Sequence, residues 1–262
     1  MDSSFDQRYI VPGLSRGLAM LQLFTREKPR QTLQELSAKL GITRSAAYRL
    51  AYTLEADGFI VRDERTRRYA LTVRATRFAF EYLASTDLLA VALPYLRQLS
   101  EVINASAYLA QRDGDQAVYI HRVVPSVRLV SNLQVGTRSP LDRTTSGRVL
   151  LAALPDHERE TVIAQLCARH GDADHPSFAA LGQTAQEDAA RGYVYRRSEI
   201  DPGITSCAAP IRDMLGSGSA ALSVIGPDPV LGAAGGEVGV SRLVAAAARD
   251  LSRELGAGER AD

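Results

Sequence analysis

The chain has 262 residues and is 45% hydrophobic, which is enough for two folded domains with separate cores. Its formal net charge of +1 conceals two opposite parts: residues 1–80 hold 14 Lys plus Arg against 8 Asp plus Glu, a balance of +6, and residues 81–262 hold the remaining 17 and 22, a balance of −5. No apolar run approaches the ~20 residues that span a bilayer, and the polar start MDSSFDQRY lacks a signal-peptide core, so we expect a cytoplasmic protein without a membrane partner.

The first predicted element is a helix that precedes the helix-turn-helix. It is marked by Leu14, Leu18, Leu21 and Leu23 to Phe24, and Ser15 is its expected N-cap residue. We expect the leucine face of this helix to pack on the elements that follow it.

Residues 32–56 have the pattern of a helix-turn-helix. Leucines recur at helical spacing over residues 33–40, Gly41 suits a turn that needs positive φ, and Thr43 can cap the next helix. Three residues of that second helix are predicted to face inward: Ala47, Leu50 and Leu54. The outer surface of the second helix then suits a DNA major groove.

A two-stranded wing is predicted after Gly58, because strand-like runs at residues 59–62 and 68–72 flank a charged turn. Arginines crowd its tip and return strand, where guanidinium groups can contact phosphates. Each element alone also fits a helical packing module that binds nothing. A helix, a glycine turn, a capped helix and a basic hairpin in this order favour DNA binding, and the basic balance of residues 1–80 agrees with it.

The candidate DNA-binding residues are Arg16, Thr43, Arg44, Ser45, Tyr48, Arg49, Arg67 and Arg68. Arg44 and Arg49 are the candidates for base edges, because an arginine can donate paired hydrogen bonds to guanine. Thr43 and Ser45 are expected to contact phosphate or one base, and the wing arginines are expected to contact phosphates.

The rest of the chain predicts a second domain of mixed strands and helices. A linker helix is expected over residues 73–86, after a DNA-binding domain of residues 1–72 and before a domain of residues 87–262. Predicted helices cover residues 87–102, 146–153, 155–169, 184–192 and 240–255. Predicted strands cover residues 105–112, 116–124, 127–135, 193–198, 205–211 and 220–226. This mixture favours an α+β fold in which helices pack on a long antiparallel sheet.

Three ordered segments resemble the IclR family of transcriptional regulators over nearly the whole chain. They are the winged motif with its leading LSRGLAMLQLF helix, the segment GTRSPLDRTTSGRVLLA at residues 136–152, and the segment EIDPGITSCAAPIRDMLGSGSAALSVIGP at residues 199–227. The resemblance implies an N-terminal winged helix-turn-helix, a linker helix, a C-terminal GAF-like effector-binding domain, and dimers or tetramers.

The resemblance also implies a small-molecule pocket between the sheet and the second and third segments. The positions carried over are Thr145, Ser146, Gly147, Ser206 and Ser223. A helix that starts near Ser146 presents backbone N–H groups that can hold a carboxylate, although a plain capped helix start has the same sequence. Further candidates lie on the predicted strands, where core packing is the alternative: Tyr108, Tyr119, His121 and Leu129.

Two positions depart from the family pattern. Arg196 and Arg197 occupy the leading part of a segment that often begins with Asp, so an inward arginine would favour an acidic effector, whereas an exposed arginine would have no such role. Ile225 stands where some members carry a second serine, which predicts a more apolar pocket for a larger ligand.

The sequence indicates no catalytic site, metal site or cofactor. Cys167 and Cys207 form no CxxC pair, and Cys207 fits a buried structural cysteine better than a redox switch. The histidines at positions 157, 170 and 175 lack metal-pair spacing, and the chain has no GxSxG, phosphate-binding loop or HExxH motif of an enzyme.

The prediction is therefore a ligand-responsive regulator that binds double-stranded operator DNA. We expect a repressor of a catabolic operon that senses a small organic acid, with an aromatic acid as one candidate. An activator of the same type remains the alternative, and an enzyme fused to a DNA-binding domain is the distant one.

Overall fold

The computed structural model describes residues 6–78, 87–125, 133–170, 176–198, 201–212, 218 and 220–257. The chain forms two compact units, Met1–Ser85 and Thr86–Asp262.

The N-terminal unit is a winged helix-turn-helix. Its helices are α1 (Pro12–Gln22), α2 (Leu33–Leu40) and α3 (Arg44–Ala56), and its strands are β1 (Arg30–Thr32), β2 (Ile60–Arg62) and β3 (Arg68–Leu71). Short 3-10 helices cover Gln7–Tyr9 and Val73–Ala75. The three strands form an antiparallel sheet in the order β1-β3-β2.

Local capping determines where α2 and α3 begin. The Thr32 hydroxyl accepts a hydrogen bond from the Glu35 backbone N–H at 3.3 Å, and the Glu35 carboxylate accepts one from the Thr32 N–H at 2.6 Å. This reciprocal capping box satisfies two backbone donors that a helix start leaves open. Gly41 then adopts φ +63° and ends α2, and Thr43 caps α3 by accepting from the Ala46 N–H at 3.2 Å, as the sequence predicts.

The predicted start of the first helix is wrong, and its predicted packing face is right only in part. The helix begins at Pro12, and Ser15 is not its N-cap, because the ring of proline already holds the φ angle of a first helical residue. Leu14 and Leu18 are 64% and 54% exposed, whereas Leu21, Leu23 and Phe24 pack in the core together with Met20. Strand β1 is too short for periodicity to indicate it.

The C-terminal unit is an α+β fold built on one antiparallel sheet. Its helices are α4 (Asp87–Ile103), α5 (Thr145–Ala152), α6 (Asp156–His170), α7 (Phe178–Arg191), α8 (Asp228–Ala233) and α9 (Gly236–Glu254). Its strands are β4 (Ser106–Asp113), β5 (Gln116–Val123), β6 (Arg138–Pro140), β7 (Val194–Arg197), β8 (Ile204–Ile211) and β9 (Ala220–Pro227). The described strands are ordered β6-β5-β4-β9-β8-β7.

Separate hydrophobic clusters cover the two faces of this sheet. Helices α4 and α9 pack on one face, around Leu96, Leu109 and Val244. Helix α5 packs on the other face, with α6 and α7 outside it, around Leu150, Ile163 and Ala208. The sheet is therefore buried on both sides, which explains the largely apolar strand sequences.

Several predicted boundaries of the second domain need correction. Helix α7 begins at Phe178, six residues before its predicted start, because Ser177 caps it by accepting from the Ala180 N–H. Helix α9 begins at Gly236, and the short helix α8 precedes it. Of the strand predicted over residues 127–135, residues 127–132 lie outside the described residues and 133–135 are not strand. Residues 76–78 of the predicted linker helix are helical, and residues 79–86 lie outside the described part.

Among the described helices, none combines the length and the apolar composition that a membrane span requires.

Candidate functional site

The outer surface of α3 carries the residues predicted to read DNA. Arg44, Ser45 and Arg49 are exposed, and Tyr48 and Tyr52 lie beside them with ring centroids 6.2 Å apart. Alanines 47 and 51 are fully buried under this surface, whereas the predicted inward leucines 50 and 54 are half-buried. Small residues on the inner side let α3 lie close to the core while its polar residues project outward.

Other predicted DNA-binding residues differ in their availability. Arg16 is exposed on α1, whereas the Thr43 hydroxyl is engaged as the cap of α3.

The Asp63 carboxylate shapes the turn of the wing. It accepts hydrogen bonds from the Arg65 and Thr66 N–H groups at 2.9 and 2.8 Å. These backbone hydrogen bonds, that of Thr66 first, lower the pKa of Asp63.

The two wing arginines are in different situations. Arg67 is exposed and adopts φ +58°, which turns the chain at the wing tip. Arg68 is half-buried: its Nη1 donates to the Arg30 carbonyl at 3.2 Å and lies 3.6 Å from the Glu35 carboxylate. Of the two wing arginines, Arg67 is therefore the one whose guanidinium is more accessible to a DNA phosphate.

The candidate effector residues meet on the sheet face that α5 covers. Cross-strand partners share a face, and the register pairs Tyr108 with Ser223, Ser206 with Ile225, and Tyr119 with Ala110. Most of the predicted positions are thus brought together, although Leu129 lies outside the described residues.

Hydroxyl groups join α5 to the sheet at this place. The Ser146 hydroxyl donates to the Ser223 Oγ at 3.0 Å, and the Thr145 and Ser206 hydroxyls share a short hydrogen bond. The Gly147 N–H donates to the Thr144 hydroxyl at 3.0 Å, so the predicted open helix start is already capped by a residue that the sequence did not single out.

Two buried tyrosines lie beside these hydroxyls. Tyr108 and Tyr119 are 0% and 2% exposed and meet edge to face with ring centroids 5.7 Å apart. Leu133 and Ile225 pack against them. Burial raises the pKa of Tyr119, opposed by hydrogen bonds with Ser146 and Thr144. This part of the site is aromatic and apolar with a few hydroxyls, which suits a ring-containing ligand.

His121 does not belong to this face. A β-bulge shifts the register between Leu109 and Ala110, so that His121 pairs with Leu109 and lies on the opposite face from Tyr119. Arg122 takes its place: it pairs with Tyr108, and its Cζ lies 5.6 Å from the Tyr108 ring centroid. Strict alternation along β5 predicts the opposite arrangement, which is why sequence reasoning chose His121 and missed Arg122.

Arg196 lies at a separate cavity of about 180 Å³ between α5 and α7. Asp142, Arg148 and Asp188 also line it, and none of its lining residues belongs to the tyrosine cluster. The register pairs Arg196 with Ser206, while Arg197 is exposed with its Nε 3.4 Å from the Asp228 carboxylate.

A buried ion pair in this cavity was missed by the sequence analysis. Arg148 donates to both Asp188 oxygens at 2.8 Å, and the two side chains are 21% and 3% exposed. Burial raises the pKa of Asp188 in spite of the opposing attraction of Arg148. The partners lie 40 positions apart on different helices, so no local pattern indicates them.

Cys207 is buried on the opposite face of the sheet, among residues that pack on α4 and α9. Burial raises the pKa of its thiol to about 12, so the thiolate that redox chemistry needs is disfavoured. Within the described residues, no group of three His, Cys, Asp or Glu side chains is placed to hold a metal ion.

Two family models match the chain. The IclR helix-turn-helix domain matches residues 13–64, and the bacterial transcriptional regulator IclR C-terminal domain matches residues 80–253.

The chain belongs to the IclR family.

This IclR-family protein is a transcriptional regulator rather than an enzyme, as its relatives are named. It is 35% identical to the Pca regulon regulatory protein of Pseudomonas putida over 217 residues, which are 82% of this chain and 74% of that protein. It is 28% identical to the transcriptional repressor AllR of Escherichia coli K12 over 247 residues, 93% of this chain and 90% of the repressor.

The fold of this IclR-family chain is also that of solved relatives. An IclR homolog from Microbacterium hydrocarbonoxydans, crystallised with 4-hydroxybenzoate, superposes with a TM-score of 0.75 at 22% identity, covering 93% of this chain and 98% of that one. At this identity the likeness concerns the fold alone.

Proposed function

We propose that this IclR-family protein is a repressor of a catabolic operon that senses a small organic acid, with an aromatic acid as the favoured class. The observation that carries the proposal is the buried site on the sheet, where Tyr108 and Tyr119 meet the hydroxyls of Ser146 and Ser223 beside the guanidinium of Arg122. An aromatic surface with few polar groups and one cation is complementary to a ring that carries a carboxylate.

The relatives add support for this class of ligand and for repression. One is the regulator of the Pca regulon, another is named a repressor, and a structural neighbour was crystallised with an aromatic acid. The proposed effector-binding residues are Tyr108, Tyr119, Leu129, Thr145, Ser146, Gly147, Ser206 and Ser223. Arg196, the remaining candidate from the sequence, lines a separate cavity and is not included.

We propose that effector binding changes the affinity of the N-terminal unit for operator DNA in a homodimer or homotetramer. Binding can shift operator affinity only if the effector prefers one arrangement of the oligomer. Leu14 and Leu18 form an exposed apolar face on α1, which favours contact between copies.

The function is tested by selecting operator duplexes from random DNA with the full-length protein and then adding organic acids. We expect at least one acid to change operator affinity and to raise the melting temperature of the protein, because a ligand stabilises the folded state that binds it. Selection of no preferred sequence would contradict a regulator that reads DNA, and an effect confined to neutral or cationic compounds would contradict the acid class.

Loss of either recognition-helix arginine should weaken specific DNA binding. We expect Arg44→Ala and Arg49→Ala each to reduce affinity for the selected operator by about 1–3 kcal/mol, because paired hydrogen bonds to a base edge are lost. Both side chains are exposed, so thermal stability should be unchanged. Fluorescence anisotropy with operator and with random duplex measures the difference, and Arg26→Ala, an exposed arginine outside α3, serves as the control. Wild-type operator affinity in both variants would remove α3 from the readout.

The wing should contribute mainly through phosphate. We expect Arg67→Asn to reduce the slope of log affinity against log salt by about 0.9, the contribution of one phosphate contact, while sequence preference is retained. Asparagine is chosen because it tolerates the positive φ of this position. Arg68→Asn should change the slope less, since Glu35 and the Arg30 carbonyl already engage that guanidinium. Equal slopes in wild type and Arg67→Asn would place the wing tip off the DNA.

A further inference from the structure

Arg122 stands out as a cation held against the aromatic part of the candidate effector site. The bulge in the β4–β5 pair directs it to the face of Tyr108, whose ring centroid is 5.6 Å from the Arg122 Cζ. Its Nη1 donates to the Leu133 carbonyl at 3.2 Å, and the Tyr108 hydroxyl donates to the same oxygen at 3.4 Å. The guanidinium is thereby fixed in position before any ligand arrives.

Two buried polar atoms on this face of the sheet lack partners among the described residues. The Nε of Arg122 and the hydroxyl of Ser106 are buried, and neither has a hydrogen-bond partner among the described residues. Ser106 is 1% exposed and lies two residues before Tyr108 on the same face of β4. Buried polar groups without hydrogen-bond partners are unfavourable and uncommon. Two such groups on one face of the site therefore indicate that a bound ligand supplies their hydrogen-bond partner.

The charge of Arg122 is also uncompensated in the part of the chain that the structure describes. Its contacts there are the Leu133 carbonyl and the Tyr108 ring, and it forms no ion pair with a described carboxylate. Arg196 differs, because it lines the cavity of the Arg148–Asp188 pair. Burial raises the pKa of Asp188, and the charge of Arg196 is among those that oppose the shift. Of these two arginines, Arg122 is the one that has no carboxylate partner among the described residues.

We propose that Arg122 binds the carboxylate of the effector, and that the effector is an aromatic carboxylic acid whose ring packs against Tyr108 and Tyr119. This inference rests on the proposed function and deepens it. Because Nη1 is engaged by Leu133, the Nε side of the guanidinium receives the carboxylate, and the Ser106 hydroxyl supplies a further hydrogen bond. Arg122 thus replaces Arg196 as the residue that selects for negative charge.

The test compares an acid with its neutral analogue by isothermal titration calorimetry of the full-length protein. The probes are 4-hydroxybenzoate and 4-hydroxybenzamide, which share a ring and differ in the charge of one group. We expect wild type to bind the acid at least about 10-fold more tightly, the range of a charge-assisted hydrogen bond. Arg122→Gln should remove this preference while amide affinity is retained, and Arg196→Gln, the matched control, should keep it.

A second variant separates charge from geometry. Arg122→Lys keeps the positive charge but lacks the planar fork, so we expect an intermediate preference for the acid. If Arg122→Gln fails to fold, the acid preference of Arg122→Lys is compared with that of wild type. An unchanged preference in the lysine variant would then contradict recognition of the carboxylate by the guanidinium.

The outcomes separate this inference from the proposed function. Tight binding of the acid with an unchanged preference in Arg122→Gln, or equal binding of acid and amide by wild type, would overturn the role of Arg122 and leave an aromatic-acid sensor in place. If only Arg196→Gln lost the preference for the acid over the amide, the carboxylate would bind at Arg196 on β7. That result would also overturn the proposed role of Arg122. Failure of wild type to bind 4-hydroxybenzoate and every other acid tested would overturn both the inference and the proposed effector class.

Discussion

Replacing Asp188 with alanine is expected to lower the free energy of unfolding of the C-terminal unit by about 3–5 kcal/mol, because it leaves the largely buried guanidinium of Arg148 without its bidentate partner. Urea-induced unfolding of the full-length protein measures the change. Asp250→Ala breaks an exposed pair with Arg253 on α9 and should cost no more than about 1 kcal/mol. Similar small losses in both variants would mean that the buried pair contributes little.

The same pair offers a second, sharper measurement. Burial raises the pKa of Asp188, and the charge of Arg148 and its hydrogen bonds oppose the shift. Removing the two charges of a buried ion pair from water costs free energy that their mutual attraction often does not fully return. The double variant Arg148→Met with Asp188→Leu should therefore regain most of the stability lost in Asp188→Ala. A double variant as unstable as the single one would show that the charges themselves are required.

Substitution of Gly147 by alanine is expected to cost about 3 kcal/mol of unfolding free energy. A Cβ atom at this position would lie 2.4 Å from the Leu141 carbonyl oxygen and 2.7 Å from its Cα, and backbone cannot move aside as a flexible side chain can. Helix α5 would have to shift, and with it the hydroxyls of Ser146 and Thr145, so we also expect weaker effector binding.

Gly182 provides the matched control for this substitution. It lies inside α7 with no atom within 4 Å of a Cβ placed on it, so Gly182→Ala should raise the unfolding free energy by about 0.5–1 kcal/mol through helix propensity. Thermal denaturation of the two variants in parallel measures both effects. Equal behaviour of the two variants would refute the close approach at Gly147.

The N-terminal unit was largely predictable from sequence because its signals are local. Gly41 and Thr43 lie where one helix ends and the next begins, and both have the conformations that their residue types favour. The start of α1 was misplaced because Ser15 resembles a cap while Pro12 already fixes a helical φ. In the C-terminal unit, strands and helices were found with boundary errors, since alternation and helical spacing are also local patterns.

The candidate effector site was only partly predictable, because it depends on contacts between distant segments. The positions carried over from the family resemblance meet on one face of the sheet, yet Gly147 owes its residue type to the backbone of Leu141. The bulge in β5 exchanges His121 for Arg122, and one extra residue in a strand leaves no mark in the alternation. The partnership of Arg148 and Asp188 likewise appears only when α5 and α7 pack together.

The order of the strands in the C-terminal unit has a consequence for aggregation. The four central strands β4, β5, β8 and β9 have eight residues each, whereas the outermost described strands β6 and β7 have three and four. Both outer strands carry arginine, and β6 ends in Pro140, which has no N–H to donate. Short, charged edge strands of this kind are poor templates for pairing with a strand of another chain, so the described edges of this sheet disfavour aggregation by strand addition.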